Sequence, residues 1–296
     1  MLYGVAAIVC ASALFSVMPT VQKYALLSGL PAGSMVFCQE LCMFLWASLR
    51  AWRELKDSGI GYRAAAKLTG FGAVGIGLTN VFYGHALELL PIGTVVLLHF
   101  LYPVMVLLIM AALFKKKVTA AGYAAAAISV AGLVLVSGTS SPGNLFGMGL
   151  ALASGLCYAA FVVSNDTSSG TECGLPVRLF FMTLGALLVS FVILPASGGF
   201  AFPSGIRITA VLLFGLGLGS CLAFYLMSKG VGLIGAGRAA FFNMLEPVGA
   251  LFVGAAVYQE TLTGKKLAGC VLVLAGAMVL LLDRSSGQGR ENKKSV

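Results

Sequence analysis

Leu245–Gly276 reads LEPVGALFVGAAVYQETLTGKKLAGCVLVLAG, and Leu101–Gly132 reads LYPVMVLLIMAALFKKKVTAAGYAAAAISVAG. Each opens on Leu-x-Pro-Val, runs on as hydrocarbon, breaks at a polar or basic patch, and resumes as a second apolar run closing on Ala-Gly. The two lie 144 residues apart (245 minus 101). They differ at the second position, where Tyr102 faces Glu246 in the alignment. A carboxylate in an apolar run needs a reason, and so does a pattern written twice.

The same offset pairs Gly93 with Gly237, Thr119 with Thr263, and Ala131-Gly132 with Ala275-Gly276. With small changes of offset it reaches back through both halves, pairing Gly29–Pro31 with Gly174–Pro176 and Leu2–Gly4 with Leu145–Gly147. The chain therefore reads as a duplication: a first repeat over 1–140, a second over 141–283, and a polar tail over 284–296 expected to be disordered and cytoplasmic.

Of the 296 residues, 59% are hydrophobic and only 10% charged, and the mean hydropathy is +0.99. Soluble domains are about half apolar and about a quarter charged, so the solvent expected for this surface is lipid. The net charge of +9 does not point to nucleic acid, because the cations sit in short clusters between apolar runs. The seven cysteines are scattered and suggest neither a disulfide framework nor a metal site. No cofactor is expected.

A helical membrane span takes about 20 apolar residues. Between the charges and the Gly, Pro and Ser breaks the sequence accommodates ten spans, starting near Gly4, Gly33, Lys67, Ile92, Thr119, Leu145, Pro176, Ile208, Ile234 and Gly264. The expected fold is thus an all-α polytopic membrane protein. Its cations cluster at Arg50–Lys67, at Lys115–Lys117 and in the tail, all on one side of a ten-span chain; Lys265 and Lys266 fall on the other. The positive-inside rule then places both termini in the cytoplasm, with the chain in the inner cell membrane. Five spans per repeat is an odd number, so the second repeat enters the membrane upside down relative to the first. Inverted repeats characterise many secondary transporters, with substrate bound near the midplane between the halves.

The paired LxPV segments and the five-plus-five layout resemble the EamA family of the drug/metabolite transporter superfamily, over nearly the whole chain. The resemblance implies a ten-helix carrier for small metabolites, often an exporter of amino acids or related compounds. A Gly-Glu pair usual in the family near the end of the LxP helix is replaced here by Gln259-Glu260 and Lys115-Lys116, so Glu260 is assigned no transport role.

Candidate functional residues are the polar groups that fall inside spans. Burying Glu246 costs at least about 2.5 kcal/mol on insertion scales, so it should face a cavity or a partner. Pro247 and Pro103, lacking an N–H, leave the carbonyls of Asn243 and His99 without their helical partners, which marks two repeat-related hinges. Glu40 is the second intramembrane acid and has no acidic counterpart. Asn80, Tyr83, Tyr102, Tyr158 and Tyr225 complete the set as polar or amphipathic groups suited to a cavity wall, although for any single tyrosine packing is the better explanation. Lys23, Asp166, Arg178 and Lys229 lie near span ends, where snorkelling accounts for them. GFGAVG at Gly70–Gly75 fits a dinucleotide fingerprint but lacks its βαβ context, and close helix packing is the better reading. Asn165-Asp166-Thr167 is a glycosylation sequon that falls on the cytoplasmic side.

The function expected is a secondary transporter, exporting small organic metabolites by alternating access. An intramembrane enzyme or a non-transporting receptor or scaffold is the alternative; the spans contain no HExxH, GxSxG or paired-aspartate signature. The expected partners are a small-molecule substrate and the bilayer, and the reading allows a homodimer.

Overall fold

The structure, a computed structural model, describes residues 2–90, 92–115, 118–137, 144–167, 173–197, 199–201, 203, 205–258 and 263–282. Glu260, the polar tail over 284–296 and Lys116–Lys117 lie outside these. Every regular element among the described residues is helical, as a chain in lipid requires if its backbone is to satisfy its own hydrogen bonds.

The first half runs α1 (Leu2–Leu27), α2 (Ala32–Asp57), α3 (Tyr62–Gly72), a π-helical segment (Ala73–Leu78), α4 (Thr79–Leu89), α5 (Ile92–His99), α6 (Tyr102–Phe114) and α7 (Ala120–Ser137). The second runs α8 (Leu145–Thr167), α9 (Leu175–Ile193), a 3-10 turn (Leu194–Ser197), α10 (Ile206–Ala210), a π-helical segment (Val211–Leu218), α11 (Gly219–Ile234), α12 (Ala236–Asn243), α13 (Leu245–Tyr258) and α14 (Gly264–Leu282). Among the described residues, five stretches are long and apolar enough to cross a membrane: Leu2–Leu27, Ala32–Asp57, Leu145–Asp166, Leu175–Ser197 and Ile206–Ile234. This is a multi-pass membrane protein.

The duplication is written into the element boundaries. α5 and α12 start and end 144 residues apart (236 minus 92, 243 minus 99), and α7 and α14 start at the same offset (264 minus 120). α1 and α8 start 143 apart (145 minus 2). Each half also carries one π-helical segment, which the sequence reading did not anticipate. Its trace in the sequence is the glycine density of AVGIGL and VLLFGLGL.

Contacts between the halves are reciprocal. A Cβ on Gly132 would stand 2.6 Å from the carbonyl of Gly269 and 2.8 Å from the nitrogen of Val273. Its repeat mate Gly276 abuts Ala125 and Ser129, the repeat mates of Gly269 and Val273. Residue i of one half thus meets j of the other, and j meets i, the signature of a two-fold-related interface. Both positions need glycine, because α7 and α14 approach through backbone. The glycine-rich Gly70–Gly75 stretch also serves close packing: Gly72 lies against the backbone of Met182 in α9.

Two expectations about helix ends are corrected. α2 continues through Arg50 and Arg53 to Asp57, and the next helix begins at Tyr62, five residues before the expected Lys67 (67 minus 62). The basic cluster is therefore largely helical. Its side chains find partners along the helix surface: Lys56 Nζ sits 5.2 Å from the Trp52 ring and Lys67 Nζ 5.5 Å from that of Phe71. Arg178 does not snorkel to water as expected. It is buried, and its guanidinium donates to Asn165 Oδ1 at 2.9 Å.

Candidate functional site

The prolines break their helices instead of merely kinking them. α5 stops at His99, and α6 begins at Tyr102 with Pro103 in its first turn. α12 stops at Asn243, and α13 restarts at Leu245 with Pro247 two residues in. A proline costs nothing in a first turn, where its missing N–H would have had no partner. After the break the backbone re-enters register through Val104 N–H and Met105 N–H, both donating to the Leu101 carbonyl at 3.0 and 3.2 Å. The break changes the standing of Glu246. It no longer sits in mid-helix but in the first turn of α13, where the helix dipole favours a carboxylate.

The two breaks are gripped by the first helix of the opposite half. The Ser12 hydroxyl in α1 donates to Asn243 Oδ1 at 3.0 Å, and Asn243 Nδ2 donates to Glu246 Oε2 at 3.0 Å. At the related position in α8, Gly155 (155 minus 12 is 143) packs on the His99 carbonyl, 2.7 Å from where a Cβ would be. Asn243 is fully buried and His99 nearly so.

Between the breaks lies a cavity of about 60 Å³. Five of the expected residues line it: Glu246, His99, Asn80, Tyr83 and Tyr158. Asn243 and Tyr102 stand just behind. Tyr102 is fully buried; its hydroxyl donates to the Ala240 carbonyl at 3.0 Å, and its ring meets Tyr158 edge-on at 4.7 Å between centroids. Glu40 is also behind the wall. Its Oε1 accepts from Asn80 Nδ2 at 2.5 Å, while Oε2 is buried with no hydrogen-bond partner among the described residues. Tyr225 is a correction: it lines a separate groove with Trp46, Arg50 and Leu179. Phe224 lines the central cavity, and one residue further turns the side chain about 100° round the helix.

The sequence reading missed part of the wall. Gln22, Gln39, Thr79 and Ser220 supply further polar groups, and Phe15, Phe224, Met18 and Pro19 supply the apolar side. Gln22 Nε2 donates to Gln39 Oε1 at 3.4 Å, and Gln39 Nε2 to Ser220 Oγ at 3.2 Å. A signal for them existed. Gln22 and Gln39 are uncharged polar residues within spans; in the structure Thr79 directly follows one π-helical segment and Ser220 lies two residues past the other, a distortion frequent at functional sites.

A cavity needs roughly 10–15 Å³ per water, so at this volume it has room for only a few water-sized groups. The fold and the cavity together define a membrane protein built from two copies of one helical unit around a shared polar centre. The sequence profile of the EamA-like transporter family matches residues 2–138 and again residues 145–282. The chain belongs to that family, within the drug/metabolite transporter superfamily. It is similar to an uncharacterized transporter of Archaeoglobus fulgidus, 29% identical over 207 residues that cover 68% of this chain and 72% of that protein. A solved crystal structure of a protein 20% identical shares the fold, with a TM-score of 0.73 over 94% of this chain and 96% of that one.

Proposed function

We propose that this transporter is a secondary carrier that exports small organic metabolites, such as amino acids or related compounds, by alternating access. In this reading it crosses the inner cell membrane ten times, as two inverted five-span repeats, with both termini in the cytoplasm. The observation that carries the proposal is the meeting of two broken helices, one from each repeat, at a polar cavity. Broken helices at membrane depth are tolerated where they line such a cavity, and in carriers of this type the substrate binds at the repeat interface.

The reciprocal contacts supply the moving part. Each break is held by the first helix of the other half, through Ser12 on one side and Gly155 on the other. Exchanging which break is gripped more tightly would exchange which side the cavity faces. Glu246 and Tyr102 occupy related positions, so the duplicated site is chemically unequal, and the carboxylate is the group expected to meet solute or proton.

The test is uptake and efflux in reconstituted vesicles against a panel of amino acids, amines and nucleosides, with and without a pH gradient. The proposal expects at least one solute to be moved across the bilayer at a saturable rate. It fails if none moves under any gradient.

A further inference from the structure

The chemistry of the cavity wall also bears on which solutes it accepts. Among the described lining residues Glu246 is the only carboxylic acid, and there is no lysine or arginine. Its Oε2 accepts from Asn243, and Asn243 in turn is held by Ser12. The carboxyl group is thus held by neutral groups, and its ionised form would draw its counter-charge from a solute.

The tautomer of His99 can be worked out from its surroundings. Ser154 Oγ donates its one hydrogen to the Ala151 carbonyl at 2.7 Å. Toward His99 Nδ1, 2.9 Å away, the same oxygen must therefore accept. The neutral ring then carries its hydrogen on Nδ1 and offers a lone pair on Nε2. Asn80 and Gln39 spend amide hydrogens on Glu40 and Ser220, and Gln22 spends one on Gln39. Each of these amides thus turns one of its two hydrogens to a protein group, while Glu246 and His99 Nε2 add acceptors to the wall.

The remaining wall is aromatic. Phe15, Tyr158 and Phe224 form one edge-to-face cluster, with centroid separations of 5.2 Å (Phe15–Phe224) and 6.4 Å (Phe15–Tyr158 and Phe224–Tyr158), and Tyr83 stands edge-on to His99 at 5.1 Å. Ring faces beside a carboxylate attract a cation through their quadrupoles. A free carboxylate on the solute would meet no lysine or arginine among the described lining residues and would face Glu246.

From this we propose, resting on the transport reading above, that the preferred solute is a protonated organic amine without a free carboxylate. Its ammonium replaces the missing counter-charge of Glu246, and its hydrocarbon lies against Phe15, Tyr158 and Phe224. A zwitterionic amino acid is a poorer fit and a carboxylate the poorest. Because the cavity in this state holds only a few waters, the solute enters when the broken helices move apart.

The test uses three probes that share one aromatic body: phenethylamine, phenylalanine and phenylacetate. Binding to the purified full-length protein and transport in vesicles are measured for each. The expected order is phenethylamine over phenylalanine over phenylacetate, each step about tenfold or more. Glu246→Gln should remove the amine's advantage while remaining monodisperse. The wild-type order stands without that variant, should it fail to fold. Phenylalanine or phenylacetate bound as well as the amine overturns the inference and leaves the transporter reading intact. So does transport of neutral or anionic solutes from the wider panel while no amine moves. If nothing in the panel moves, the transporter reading itself fails and takes this inference with it.

Discussion

Gly155→Ala puts a methyl group where α8 presses on the break between α5 and α6. The added Cβ would stand 2.7 Å from the His99 carbonyl oxygen, about 0.7 Å short of ordinary contact (3.4 minus 2.7 Å). The obstacle is backbone, so no side-chain rotation relieves it; either α8 or the broken segment must shift. Overpacking of this kind costs about 1–3 kcal/mol, set against the roughly 0.5–1 kcal/mol that alanine gains over glycine in a helix. Gly149→Ala, on the same helix with nothing within 4 Å of the new Cβ, keeps the gain without the cost. In detergent, thermal midpoints followed by size-exclusion chromatography should fall for Gly155→Ala and hold or rise for Gly149→Ala. In vesicles, Gly155→Ala should also slow transport, because the displaced segment carries His99 and leads into Tyr102. Equal midpoints and equal rates for the two variants would refute the claim that this contact holds the break.

Asn80→Ala strips the buried Glu40 of the hydrogen bond to its Oε1. A loss of about 1–3 kcal/mol is expected for a buried polar group left without its partner, read as a lowered denaturation midpoint; an unchanged midpoint would show that the pair is not formed. Asn165 is buried, bonded to Arg178 and to the Phe161 carbonyl, so expression in a glycosylating host should give no glycosidase-sensitive shift at this sequon. Asn165→Ala should lower thermal stability by about 1–3 kcal/mol, since it strands a buried guanidinium, and Asn165→Asp should recover part of the loss.

The offset of the duplication was the most legible feature of the chain. Reading Pro103 and Pro247 as hinges located both breaks to within a residue or two, because a missing N–H acts locally and needs no tertiary partner. What the primary structure hid was orientation around each helix. Tyr225 and Phe224 are adjacent letters, yet only Phe224 reaches the cavity. Gln22 and Gln39 looked like isolated polar residues, since the bond joining them crosses from α1 to α2. Arg178 looked like an interfacial cation because its position near a helix start says nothing of Asn165, which lies 13 residues earlier, in α8. The π-helical segments were also out of reach, although their glycines were visible; glycine density alone fits close packing equally well.

The central claim is that solute or proton meets the protein at Glu246, between the broken helices. Its most direct test is the rate at which vesicles bearing Glu246→Gln move whichever solute the wild-type protein transports, beside wild type and Tyr225→Phe. The account predicts a loss of about tenfold or more for Glu246→Gln, the scale of one charge-assisted contact, with Tyr225→Phe at the wild-type rate. Wild-type rates for Glu246→Gln at every pH, from a monodisperse protein, would contradict it.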